Sequence, residues 1–93
     1  MNLTRLRRIR LRLEELRSRT ANIKSRELVA LAESLGRRPS KRGKEPTYVS
    51  DHFPSLRPIS IPSHSGTMKR FTASNILNML EEDIFLWEDI LEK

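Results

Sequence analysis

The sequence KSRELVALAESLG, residues 24–36, has the pattern of a single short amphipathic helix. Its apolar residues recur at i, i+3, i+4 and i+7, which is the spacing of one helix face, at Leu28, Leu31, Ala32 and Leu35. Ser25 is the predicted N-cap, Glu27 stands in the first turn, and Gly36 supplies the C-terminal stop. The pattern therefore predicts a helix that packs on the core of the domain.

The segment that follows this helix is rich in proline. All five prolines fall between residues 37 and 65, and no helical periodicity survives there. One strand is predicted around Tyr48 and Val49, and another over residues 57–62, where Ile59 and Ile61 alternate onto one face. Residues 50–56 would form the loop between these two strands.

The remaining elements are a weak strand and a C-terminal helical region. Residues 37–42 are polar enough to form an edge strand. Helix returns after a predicted cap at Thr72 or Ser74, and residues 84–91 continue as an acidic amphipathic segment. The inward-facing residues of the first turns are Ile76, Leu77 and Leu80. The order helix, helix, strands, helix predicts an α+β domain.

Residues 3–19 contain no helix breaker and predict a first helix. Apolar residues recur along it at spacings of 3, 4 and 3 and form a seam of Leu6, Ile9, Leu13 and Leu16. Arginines surround that seam on the helix surface. The pattern leaves several interpretations open: packing on the chain's own domain, packing on a second copy in a homodimer, contact with RNA, or contact with an anionic membrane surface.

Composition restricts the classes of function. A chain of 93 residues holds one small domain at most. The absence of cysteine removes disulfides, thiolate metal sites and cysteine nucleophiles together. No apolar run approaches the roughly 18 residues of a membrane span, and the N-terminus lacks the apolar block of a signal peptide. We therefore expect a soluble, cytoplasmic protein that has no membrane partner.

Charge is distributed unevenly along the chain. Residues 1–44 carry 14 Lys or Arg and 4 acidic residues, a net charge of +10, whereas residues 45–93 carry 4 and 8, a net charge of −4. Eleven of those 14 basic residues are arginine, whose planar guanidinium suits phosphate. This bias favours RNA as a partner of the first half. The acidic residues from Glu81 to Glu92 either form a solvated face or dock on the arginine-rich first helix, within the chain or across a dimer.

Several short motifs in the sequence point to one family. The helix at residues 24–36 is followed by Arg42-Gly43 and by the aromatic strand at Tyr48, and ISIPSH at residues 59–64 then precedes KRFTASNIL at residues 69–77. In these motifs the chain resembles the HicA (YcfA-like) toxins of bacterial type II toxin–antitoxin pairs. Its predicted order of helix, strand meander and helix is also that of the double-stranded-RNA-binding fold. The resemblance covers roughly 60 of the 93 residues.

The resemblance implies a function as well as a fold. HicA toxins are small mRNA endoribonucleases that act without metal or other cofactor through one histidine, and an antitoxin of the HicB type neutralises them. RNA and a HicB-type antitoxin protein are therefore the implied partners. The catalytic histidine of the HicA family lies in a Gly-Ser-His motif, but in this chain Gly43 is followed by Lys44 and Glu45.

That departure leaves two hypotheses for the activity. Metal-free RNA cleavage needs an acid and a base whose pKa values lie near neutrality, and a glutamate, with an ordinary pKa of about 4.3, suits either role poorly. The chain is either a metal-independent endoribonuclease, with Glu45 and His64 as the candidate catalytic residues, or a catalytically silent module that binds RNA or a protein. Whether it is an enzyme stays open at this stage.

The other candidate residues are assigned by type and position. The predicted RNA-binding residues are Arg37, Arg38, Lys41, Arg42, Lys44, Lys69 and Arg70. His64 matches the family's Pro-x-His position or else makes hydrogen bonds in a turn, and His52 is predicted to be a solvated loop residue. Tyr48 either belongs to the core or stacks on a base. The two histidines are not spaced as metal ligands, so we expect no metal site.

The resulting prediction for the chain has three parts. Residues 1–22 form a basic amphipathic helical extension, residues 23–83 a HicA-like core domain, and residues 84–93 an acidic C-terminal helix. The predicted fold class is α+β, with a double-stranded-RNA-binding-like core of a helix, a three-strand sheet and a helix. An extra basic N-terminal helix and an acidic C-terminal helix extend this core.

Overall fold

The computed structural model describes residues 1–40, 46–63 and 66–93. These residues form three α-helices and one three-stranded antiparallel sheet, so the predicted α+β class and the helix–sheet–helix order are confirmed. In chain order the elements are α1 (Leu3–Arg17), a 3₁₀ turn (Thr20–Asn22), α2 (Ser25–Ser34), β1 (Arg37–Ser40), β2 (Thr47–Ser50), β3 (Ile59–Ser60) and α3 (Arg70–Leu91).

Helix α1 belongs to the core of the domain. It starts where the Asn2 side chain accepts a hydrogen bond from the Arg5 backbone N–H at 2.8 Å. The apolar seam of α1 is buried against α2 and α3, with Leu6, Ile9, Leu13 and Leu16 all at most 6% exposed. The seam is therefore not available to a second copy or a partner. The apolar residues of α1 belong to the same core cluster as those of α2 and α3.

Helix α2 matches its predicted face, but its start differs from the prediction. Lys24 is the N-cap, and Ser25 lies inside the helix, where its hydroxyl donates to the Pro62 carbonyl at 2.6 Å. The Glu27 carboxylate accepts a hydrogen bond from the Lys24 backbone N–H at 3.0 Å. Gly36 adopts a φ of +93°, which an L side chain rarely tolerates, and this explains why the helix ends there as predicted.

The sheet has the order β1-β2-β3, and its register fixes which residues face the helices. Arg37 pairs with Ser50, and Pro39 pairs with Tyr48, which also pairs with Ile59. Because alternate residues of a strand point to opposite faces, these five lie on one face. Tyr48 is 8% exposed on that face and belongs to the core, so it is not an exposed platform for a base.

Helix α3 is one continuous element. Lys69 is its N-cap, and neither Thr72 nor Ser74 has that role. The helix runs through residues 83 and 84 without a break, because no proline or glycine interrupts it, so the acidic segment is not a separate helix.

The predicted docking of acidic α3 on basic α1 is confirmed within the chain. Arg10 donates to Glu88 at 2.7 Å, and Arg17 donates to Glu81 at 2.8 Å. Among the described helices none is long and apolar enough to cross a membrane.

Candidate nucleic-acid interface

Helices α2 and α3 begin at the same end of the domain. The Met68 N–H donates to the Ile23 carbonyl at 2.8 Å, and Lys24 forms an isolated antiparallel bridge with Thr67. These contacts join the residues just before α2 to the residues just before α3. The backbone therefore brings two helix N-termini together, each of which carries a partial positive charge.

The same end of the domain contains the exit of β3 and the entry of β2. The Ile61 N–H donates to the Pro46 carbonyl at 3.2 Å, and the Ser25 hydroxyl donates to the Pro62 carbonyl at 2.6 Å. Pro46 and Pro62 thus lie beside the start of α2. Residues 41–45 lie directly before Pro46 in the sequence, and residues 64–65 lie two positions beyond Pro62.

Four exposed cations surround these two helix N-termini, and we call them the basic edge: Lys24, Arg26, Lys69 and Arg70. In the described part of the chain none of the four side chains forms an ion pair. The first turn of α3 contains no acidic residue, and Lys69 makes no side-chain cap. A cation at a helix N-terminus costs about 0.3–1 kcal/mol, whereas an anion there is stabilised. The basic edge is therefore an electrostatic setting that favours a bound anion.

Arg37 is a core residue, which corrects its assignment as an RNA contact. Its side chain is 1% exposed and forms a bidentate ion pair with Asp83, with Nε and Nη2 at 2.7 and 2.9 Å from the carboxylate oxygens. Its Nη1 donates to the carbonyls of Tyr48 and Arg57 at 2.8 and 3.1 Å. The guanidinium is thus fully engaged inside the protein and does not reach a phosphate at the surface.

Arg38 is exposed, but it lies at the opposite end of the sheet from the basic edge. Its Nη2 donates to Asp51 at 3.0 Å, and the Arg38 guanidinium lowers the pKa of the Asp51 carboxyl. Residue 38 pairs with Val49 near the end of β2, whereas the basic edge lies at the beginning of β2. Lys69 and Arg70 therefore lie on one surface, and Arg38 lies on another.

The arginines of α1 are partly neutralised. Four of them form ion pairs with carboxylates: Arg10, Arg12, Arg17 and Arg19. Hydrogen bonds from the Arg19 side chain and the Lys24 backbone, opposed by burial, lower the pKa of Glu27 to about 2. These four arginines are paired within the chain, so they add less to a phosphate-binding surface than the net charge of residues 1–44 indicates.

His52 lies at the far end of the domain from the basic edge. Its ring stacks on that of Trp87 with a centroid separation of 4.3 Å, and Trp87 Nε1 donates to the Leu35 carbonyl at 3.0 Å. His52 is exposed, as predicted, but the stacking contact holds it in place.

The remaining candidates lie outside the described residues: Lys41, Arg42, Lys44, Glu45 and His64. Among the residues that the structure does describe, no group of three acidic or histidine side chains could hold a metal ion. Comparisons of the chain with protein families, with curated proteins and with solved structures return no significant match.

Lys24 and Arg26 belong to the basic edge, although sequence reasoning assigned them no function. A signal for them is present in the sequence, because both stand where a helix begins and where acidic residues are preferred. Glu27 in the same turn compensates part of this charge, so the signal is weaker at α2 than at the start of α3, whose first turn has no acidic residue. Sequence alone does not show that a second basic helix start, at Lys69 and Arg70, lies beside the first.

Proposed function

We propose that the chain binds RNA through the basic edge, as a HicA-like protein with a double-stranded-RNA-binding-like core. The observation that carries this proposal is the convergence of two helix N-termini with Lys24, Arg26, Lys69 and Arg70, which have no carboxylate partner among the described residues. Phosphate oxygens satisfy free N–H groups and compensate the four charges at once. RNA supplies such phosphates at regular spacing.

The fold gives this proposal further support. Helix α2, the antiparallel strands β1, β2 and β3, and helix α3 follow one another in the order that the double-stranded-RNA-binding fold requires. Recognition by such a domain relies on phosphate and 2′-hydroxyl contacts and depends largely on the shape of the RNA. In this proposal a HicB-type antitoxin is the protein partner, and it neutralises the chain by covering the basic edge.

The basic edge can be tested by its contribution to the salt dependence of RNA binding. We expect Lys69→Ala with Arg70→Ala to weaken binding of a short RNA hairpin about tenfold or more at 0.1 M salt. Each lost phosphate contact should lower the slope of log affinity against log salt by about 0.7–0.9. Fluorescence anisotropy between 50 and 200 mM salt (about the range over which counterion release is measured) checks both quantities.

The matched control is Arg7→Ala with Arg8→Ala, which removes the same charge from the exposed face of α1. We expect this variant to keep most of the affinity and of the salt slope. Equal losses in the two double variants would mean that binding follows net charge alone. An unchanged affinity in the Lys69→Ala, Arg70→Ala variant would exclude the basic edge as the RNA-binding surface.

A second candidate function is metal-free RNA cleavage by Glu45 and His64. The observation that favours it is the 3.2 Å hydrogen bond between Ile61 and Pro46, because both candidates lie within three residues of that bond in the sequence. Cleavage would need one group to take the 2′-hydroxyl proton and another to protonate the leaving oxygen. A carboxylate beside phosphates is repelled by them and is a weaker base than imidazole, so we propose binding as the primary function.

A cleavage assay in EDTA distinguishes RNA binding from metal-free RNA cleavage. We expect no cleavage by the native chain, and cleavage by Glu45→His, which restores imidazole at the family's catalytic position. Denaturing gel electrophoresis of an end-labelled mRNA measures the product, and His64→Ala added to Glu45→His tests whether His64 takes part. Native cleavage that Glu45→Ala or His64→Ala abolishes would instead establish a working ribonuclease.

A further inference from the structure

A groove between α1 and α2 presents unpaired arginines above an apolar floor. Ile9, Leu31 and Ala30 line its floor, Arg5 and Arg8 stand at its rim, and Arg12, Glu27 and Ser34 complete the lining of a volume of about 240 Å³. The Glu27 carboxylate is already paired with Arg12 and Arg19, so Arg5 and Arg8 are the charges left for a partner. Both arginines are exposed, and in the described chain neither side chain has a carboxylate partner. The groove, which we call the α1–α2 groove, therefore fits an apolar side chain that carboxylates flank.

The outer face of α3 has the complementary character. Leu86 is half-buried and Ile90 is 47% exposed, and the carboxylates of Glu82 and Asp89 alternate with them on the same side of the helix. Asp89 contacts only Lys93, at 3.4 Å, in a solvent-exposed pair that contributes little. We call these four residues the α3 outer face.

The same pair of helices already shows that their charges are complementary. Inside the chain Arg10 of α1 pairs with Glu88 of α3, and Arg17 pairs with Glu81. The α1–α2 groove and the α3 outer face carry the same two kinds of charge, but they lie on surfaces that these internal contacts leave open. An apolar side chain exposed among charges of one sign is best covered by a surface of the opposite sign.

We propose that the α1–α2 groove receives the α3 outer face of a second copy of the chain. The contact joins two different surfaces, so it is heterologous, and copies associate head to tail. It differs from a coiled-coil seam, because Leu6, Leu13 and Leu16 stay inside each copy and only the 6% exposed edge of Ile9 reaches the floor of the groove. Binding of RNA at the basic edge uses neither surface.

Charge reversal tests the contact. One variant carries Arg5→Glu and Arg8→Glu, and the other carries Glu82→Lys and Asp89→Lys. The Glu at position 5 lies in the first turn of α1 and the Lys at position 89 in the last turn of α3, positions that the helix dipole favours, so we expect both variants to fold. Circular dichroism and thermal melting verify this before any mass is measured.

Sedimentation velocity on RNase-treated protein measures the mass of the native chain and of each variant over a hundredfold range of concentration. We expect the native mass to rise above 10.9 kDa with concentration, and each variant to associate at least tenfold more weakly. An equimolar mixture of the two variants should recover association, because each reversed surface then meets a surface of opposite charge. As a matched control, Lys24→Glu with Arg26→Glu changes the same net charge at the basic edge and should associate like the native chain.

Three outcomes would overturn the proposal. The first is a native chain that stays monomeric at the highest concentration. The second is association that survives in both variants or disappears when RNase removes bound RNA. The third is a mixture in which the two variants remain apart although each is folded, because opposite charges on the two named surfaces would then have no effect on each other.

Discussion

Replacing Asp83 by asparagine is expected to lower the free energy of unfolding by about 3–5 kcal/mol. Asp83 and Arg37 are each 1% exposed on their side chains, and two hydrogen bonds join them at 2.7 and 2.9 Å. The substitution keeps the size and shape of the side chain but leaves the Arg37 charge buried without a counter-charge. Because small domains have only about 5–15 kcal/mol of total stability, the variant should be close to unfolding at room temperature. Urea unfolding followed by circular dichroism measures the difference.

The same helix provides a matched control. Asp89 pairs with Lys93 at 3.4 Å at a site where both side chains are more than half exposed. Asp89→Asn should therefore change stability by less than about 0.5 kcal/mol. A combined Arg37→Met, Asp83→Leu variant should recover part of the loss, because it removes both buried charges. The recovery should be incomplete, because the carbonyls of Tyr48 and Arg57 lose the hydrogen bonds that Arg37 donates. Equal urea midpoints for Asp83→Asn and Asp89→Asn would contradict the role given to the buried pair.

The buried pair shows where sequence reasoning fell short and why. Strand β1 reads Arg-Arg-Pro-Ser and has no apolar residue to mark its inner face, so the alternation that buries Arg37 and exposes Arg38 is not visible in the sequence. A signal did exist at the other partner. Asp83 interrupts the apolar stripe of α3 between Leu80 and Ile84, and an acidic residue at such a position requires a buried partner.

The helices themselves were predictable from periodicity, but their neighbours were not. The seam of α1 and the stripe of α2 were both located from the sequence, because the 3.6-residue period is a local property. What covers an apolar stripe depends on tertiary structure, and a second copy satisfies the pattern as well as the chain's own core does. The opposite charges of α1 and α3 were the more informative signal, and they correctly indicated that the two ends of the chain meet.

Only one half of the basic edge could be predicted, because a sequence pattern is local and does not show contacts between distant parts of the chain. Lys69 and Arg70 stood out as a basic pair before a helix, whereas Lys24 and Arg26 are separated from them by more than 40 residues. Only the bridge between Lys24 and Thr67 brings the two helix starts together. A basic residue at a helix start is therefore a local signal, and its functional meaning depends on a contact between distant parts of the chain.

Replacing Leu13 by alanine is expected to lower the free energy of unfolding by about 2–5 kcal/mol. Leu13 is 0% exposed and lies in the apolar core that α1 shares with α2 and α3. The loss combines the transfer free energy of the removed carbons with the cavity that they leave. Leu11→Ala, on the same helix at 66% exposure, should stay within about 0.5 kcal/mol of the native chain.

The comparison decides whether α1 is part of the domain or an attached extension. If the Leu13 side chain faced a second copy, Leu13→Ala would lower the mass in light scattering and leave the urea midpoint of the remaining domain in place. Because the side chain is buried within one copy, we expect the opposite pattern: a lower urea midpoint at every protein concentration and a mass that follows the native protein. A urea midpoint that depends on concentration in the native chain but not in Leu13→Ala would return the seam to the interface between copies, since association makes stability depend on the concentration of the protein.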